Sequence, residues 1–200
     1  MSGIVGGINL RSSGLVNISS ASDGQVFTGT GTGLPVGFEA IATAGITLGT
    51  EQATTSGSDF TFSGIASGTK RVYMIFEHVI ISGTDDWTIQ LGDSGGIESS
   101  SYVSSSVSDT AGTGANASST SAFVIDNGSG SSSMLTGVFC FELTDSTNNT
   151  WIGHSVLKSH TNQVIMSAGN KSLSAELTQI KLDTTGSNTF SAGSINITYE

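Results

Sequence analysis

Three histidines, His78, His154 and His160, are the residues around which a hydrolytic site would have to be built. Acyl transfer needs a nucleophile, a base in contact with it and an acid that orients the base. Serine is so abundant that no single one stands out as a nucleophile, and no G-x-S-x-G elbow is present. His78 lies inside the apolar run KRVYMIFEHVIIS, Lys70 to Ser82, where a hydrogen-bonded core histidine is expected. His154 and His160 fall on alternating strand positions near a hairpin, as on a polar surface face. The residues with reactive side chains therefore predict a non-enzymatic protein.

Other chemistries are equally thin. Asp85-Asp86 and Asp145 to Asn149 are oxygen-rich, but neither follows the D-x-[DN]-x-[DN]-G calcium loop, and plain turn chemistry is the expectation. No metal site and no cofactor are expected. Gly29-Thr30-Gly31-Thr32-Gly33 has the glycines of a phosphate loop without the lysine or the strand-to-helix context, and reads as a connector. Trp87, Trp151 and Tyr102 are the candidates for stacking on a sugar ring, although both tryptophans also fit buried alternating positions. Cys140 is the single cysteine. Its apolar neighbours, Val138 to Leu143, predict a small core residue.

The elements that must carry these residues are strands. Serine and threonine number 35 and 25, with 27 glycines and one proline, Pro35. Thr, Val, Ile and aromatic residues favour pleated strands, and Gly, Ser, Asn and Asp favour turns. The run from Lys70 to Ser82 is apolar on both faces in its middle, which predicts a strand covered on both sides. Trp87, Ile89 and Leu91 alternate with polar residues, as do Phe139, Phe141 and Leu143, and Ile195, Ile197 and Tyr199. The Ser-rich stretch from Ser99 to Ser121 predicts a long exposed loop. Eight to ten strands with frequent turns predict an all-β fold, a sandwich or a jelly roll.

Charge narrows the partners. The net charge is −10, from 16 acidic and 6 basic residues. Little is available to neutralise phosphates or to dock on anionic lipid, so neither nucleic acid nor a membrane is an expected partner. No stretch is long and apolar enough to be read as a membrane span.

Residues 1–40 differ from the rest. Glycines interrupt short apolar pairs, so this segment predicts an extended arm and linker ahead of a β domain at 41–200. Its apolar anchors are Ile4, Val5, Ile8 and Leu10, with Arg11 as a possible ionic contact. The segment MSGIVGGINLRSSGLVN, followed by SDGQVFTGTGTGLPVGFEA at Ser22 to Ala40, resembles the N-terminal arms of tailed-bacteriophage virion surface proteins. The stretches IQLGDSGGIESSSYVSSS, Ile89 to Ser106, and KSLSAELTQIKLDTTGSNTFSAGSINITYE, Lys171 to Glu200, resemble the β-rich domains that follow such arms. The resemblance implies a jelly-roll-like β-sandwich in a short tail fibre, a head fibre or a capsid decoration protein. It further implies a homotrimer on the virion surface, assembled in the host cytoplasm, held to other virion proteins through residues 1–40 and able to contact a host surface glycan. A carbohydrate-binding module, viral or cellular, and a polysaccharide depolymerase with two carboxylates across a cleft are the competing readings.

Overall fold

The computed structural model describes residues 25–29, 36–40, 45–110, 113–126, 134–159 and 163–200. The chain divides into two units, Met1–Ala44 and Gly45–Glu200. In the first, β1 (Gln25–Gly29) and β2 (Val36–Ala40) pair antiparallel, Gln25 opposite Ala40 and Gly29 opposite Val36. Part of the stretch expected as a linker is thus a hairpin, built where Val26, Phe27 and Phe38 supply strand-forming residues. The anchor residues Ile4, Val5, Ile8, Leu10 and Arg11 lie outside the described residues.

The second unit contains β3 (Thr47–Leu48), β4 (Gln52–Ala53), β5 (Phe60–Ser63), β6 (Arg71–Ile81), β7 (Trp87–Asp93), β8 (Gly96–Ile97) and β9 (Tyr102–Thr110). It continues with β10 (Thr113–Ser119), β11 (Phe123–Asp126), β12 (Met134–Asp145), β13 (Thr150–Ser159), β14 (Gln163–Ser172), β15 (Gln179–Thr184) and β16 (Phe190–Tyr199). The larger sheet runs β10-β9-β14-β13-β12-β6-β16-β3, with β4 also on β16. The smaller runs β11-β7-β15-β5, with β8 on β7. All the pairings are antiparallel, and no helix occurs among the described residues.

One face of each sheet feeds a common core. Val72, Met74 and Phe76 of β6 are buried in alternation, as are Phe139 and Phe141 of β12, while β7 is buried along nearly its whole length, Trp87, Ile89 and Leu91 included. Phe123 of β11 joins the layers. Its ring lies edge-on to Tyr102, Phe139 and Phe141 at centroid separations of 5.3, 5.8 and 5.3 Å, the geometry aromatic quadrupoles favour. Gly153 of β13 makes the room. A Cβ there would stand 2.8 Å from the Phe139 ring and 3.0 Å from those of Phe123 and Phe141.

Three expectations are corrected. The Ser-rich stretch is not a loop: β9 and β10 form a hairpin inside the larger sheet, Ser104 opposite Ser119. Its period-two signal is inverted: the buried positions Ser104, Ser106 and Ser108 are polar, and the exposed ones include Val103 and Val107. The hydroxyls have work there. Ser104 Oγ accepts from Val124 N at 2.9 Å, and Ser167 Oγ donates to Val124 O at 2.6 Å, so β11 is held by its backbone against the serine face. His78 is exposed rather than in the core. A bulge between β6 and β16 reverses the strand phase there, with φ +52° at His78 and +91° at Gly193. A Cβ on Gly193 would sit 2.4 Å from His78 O, so the crossing requires glycine. Cys140 faces outward and is partly exposed, because the inward phase of β12 belongs to Phe139 and Phe141.

Gly153→Ala is expected to lower the unfolding free energy by about 1–3 kcal/mol, since three packed rings must move to admit one methyl. Urea denaturation of the full chain, read by fluorescence, checks this; a variant of unchanged midpoint would mean the cluster is loosely packed.

Candidate functional site

Two places bring polar side chains together. The first is a groove where the edges of the two sheets approach. Its floor is Phe62 and Ile197, both buried, beside the partly buried Tyr199. Gln52 spans it, donating from Nε2 to Thr61 O at 3.1 Å. The groove encloses about 530 Å³, and none of its lining residues is charged. An aromatic ring, aliphatic walls, hydroxyls and an amide suit a neutral, hydroxylated ligand better than an ion.

The second is a buried clamp. Lys171 of β14 is 3% exposed, ion-paired to Glu98 and 5.3 Å above the Tyr102 ring. Glu98 Oε1 accepts from Ser174 N at 2.7 Å, and Ser174 Oγ donates to Asp93 Oδ2 at 2.5 Å. Asp93 Oδ1 accepts from Gly95 N at 2.7 Å. Tyr102 OH accepts from Leu91 N and donates to Glu98 O, each at 2.9 Å. The Ser174 hydroxyl and the Gly95 N–H hold the Asp93 carboxyl below the usual range. Burial pushes Glu98 up, but the hydrogen bonds from Lys171 and Ser174 outweigh it and leave it lowered. Burial raises the Tyr102 phenol far above its ordinary value. These groups answer one another: the clamp ties β7, β9 and β14 together and keeps a cation buried by pairing it.

The candidates for sugar stacking are not at the surface. Trp87, Trp151 and Tyr102 are 0%, 1% and 1% exposed and belong to the core. Their alternation carries the reason, since each shares the inward phase of its strand. Asp145 accepts from the backbone of Thr147 at 2.8 Å and of Asn148 at 3.3 Å, and from Asn148 Nδ2 at 2.6 Å, the bonding of a turn. Asp85 Oδ2 accepts from Asn188 N at 2.8 Å, tying one loop to another. Among the described residues no three His, Cys, Asp or Glu side chains gather as metal ligands would. His154 is exposed on β13, and the side chain of His160 lies outside the described residues.

Sequence reasoning missed the groove because Gln52, Phe62 and Tyr199 are brought together only by the tertiary fold. Lys171 left a local trace. It has the phase of Gln163, Ile165 and Ser167, which are buried, so the period of two marks it as an inward lysine.

Lys171→Met is expected to cost about 2–4 kcal/mol, because Glu98 loses its cation while remaining half enclosed. Asp93 and Glu98 have folded pKa values below their unfolded ones, so their stabilisation is complete at neutral pH and is lost as pH falls through about 4 and below. In Lys171→Met the Glu98 pKa rises and this acid dependence flattens. Thermal midpoints between about pH 7 and pH 3 check both effects; an unchanged slope would remove Lys171 as the cause.

No family model, curated protein or solved structure matches the chain.

Proposed function

We propose that this chain is a non-enzymatic structural protein of a phage virion, a short fibre held by its N-terminal segment with the β domain facing outward. The observation that carries the reading is the division into a small Gly-rich unit, 1–44, and a β body, 45–200, in a chain whose two segments resemble arm and domain of virion surface proteins. The pairing order supports a jelly-roll-like β-sandwich. β6 pairs with β16, β7 with β15 and β9 with β14, closing on the β12–β13 hairpin. Such nesting is the order of a long hairpin rolled into two layers, with the difference that the closing β12–β13 pair stays in the larger sheet, bonded to β6 and β14, instead of joining β7 and β15. The outward domain contacts a host surface glycan, and the uncharged groove beside Tyr199 is where a neutral sugar would rest. A capsid decoration protein uses the same two parts, with the arm and body both on the head.

The test is on particles. Virions from the source of this chain, banded on a density gradient, are expected to contain it in fixed stoichiometry and to bind antibody raised against residues 45–200. Antibody at tail or head separates fibre from decoration, and absence from banded particles overturns the reading. Glycan binding is expected to fall at least tenfold in Tyr199→Ala and in Gln52→Ala, measured on an array with the full chain. A wild-type chain silent on a broad array removes the glycan contact while leaving the virion role open to the first test.

A further inference from the structure

The outer face of the larger sheet is apolar where an outer face is usually polar. Of the nine large hydrophobic side chains exposed among the described residues, seven lie on it. The register aligns them. Val107 stands opposite Met166, Met166 opposite Val156, Val156 opposite Val138, and Val138 opposite Ile75, one row across five adjacent strands. The next row reads Ala168, His154, Cys140 and Tyr73 in the same register. Between β9 and β16 neither row contains Asp, Glu, Lys or Arg, in a protein with 16 acidic residues. Charge returns only in the flanking rows: Asp109, Lys158 and Glu77 along one side, and Glu142, Arg71 and Glu200 along the other.

Such a face is an interface. Six strands about 4.8 Å apart and four rows deep cover roughly 24 by 20 Å, and side-chain relief brings the accessible area near the ~800 Å² that each partner of a stable pair contributes.

We propose that a second copy of this chain covers this face, the two larger sheets packing about a twofold axis that lies in the face, across the strands, between the two uncharged rows. The charges select this occupant. The operation exchanges the rows, so Tyr73 meets Ile75 of the partner subunit and the apolar row covers the uncharged row of Ala168, His154, Cys140 and Tyr73 of the partner subunit. It also exchanges the flanks. Arg71, which also pairs with Glu142 and Glu200 of its own chain, faces Glu77 of the partner subunit, so the partner's Glu77 approaches this mixed cluster at its cation, and Lys158 comes beside Glu142 of the partner subunit. A self-complementary patch with opposite charges across its own axis is the signature of an isologous contact. Antiparallel strands in both copies give the near-aligned face-to-face packing that twisted sheets adopt. The pairing does not depend on the virion role, and it differs from the threefold association that the resemblance implies.

Light scattering of the full chain at micromolar concentration is expected to give twice the 20.3 kDa chain mass. Val156→Asp with Met166→Asp is expected to give the single-chain mass with the circular-dichroism spectrum of the folded chain, both side chains being exposed, and a thermal midpoint lowered only by the loss of association. Arg71→Glu is expected to weaken pairing at least tenfold, and adding Glu77→Arg to restore it, which the contacts of Arg71 within its own chain would not do. Cys140 supplies a further check. The axis places both copies of this single cysteine inside the covered face, so a maleimide is expected to label Cys140 at least tenfold more slowly in the dimer than in the chain carrying Val156→Asp with Met166→Asp. A wild-type monomer, a trimer, a dimer that survives the two aspartates, or a dimer whose Cys140 is labelled as fast as in the two-aspartate variant would each overturn the proposal.

Discussion

The body of this protein turns on Phe123. Its ring is in edge contact with Tyr102 from β9 and with Phe139 and Phe141 from β12, while its strand belongs to the smaller sheet. The two layers are therefore joined by aromatic packing on one side of β11 and by serine hydroxyls bonded to the Val124 backbone next to it. Both halves are needed. A larger side chain at Ser104 or Ser167 would lift β11 away and open the ring cluster. A residue with a Cβ at position 153 would press into the cluster from the other sheet. The high serine content, which reads as loop-like along the chain, is at this seam a packing requirement: small side chains admit a close backbone, and their hydroxyls satisfy it.

The parts of the fold legible in the sequence are those where inward and outward residues differ in kind. β7, β12 and β16 alternate between large apolar and small or polar residues, and their strands lie where the alternation indicates. β9 was illegible because its inward residues after Tyr102 are serines and its outward ones include Val103 and Val107, an inversion of the usual sense. β6 was legible as a strand, but not its bulge. The exposed His78 follows from a local phase reversal that only the partner strand reveals. For the candidate sites the tryptophans drew attention by type, yet their phase pointed inward. The groove residues carry no shared local pattern, since their proximity arises from the approach of two sheet edges.

The inverted polarity of β9 and β14 also distinguishes the two faces of the larger sheet. Inside, hydroxyls receive a strand backbone; outside, Val107 and Met166 form part of a flat apolar row. The apolar character expected on both faces of β6 fits this arrangement. Its inner face is covered by the smaller sheet, and its outward Tyr73 and Ile75 are only partly covered within the unit. A sheet with two apolar faces is a layer in a stack rather than the outer wall of one.

The place of β16 between β6 and β3 has a kinetic consequence. Ser191 bonds to Ile80, a residue 111 positions earlier, and β16 as a whole covers the edge of β6 opposite β12. Closing a loop of that length comes before any gain from the pairing, so completion of the sheet is a slow, late event. During synthesis β6 emerges with two apolar faces and must wait for β12 and then β16. Through that interval the longest apolar strand is open to misassociation, and the yield of native protein is governed by how the nascent chain is shielded as much as by the stability of the finished fold.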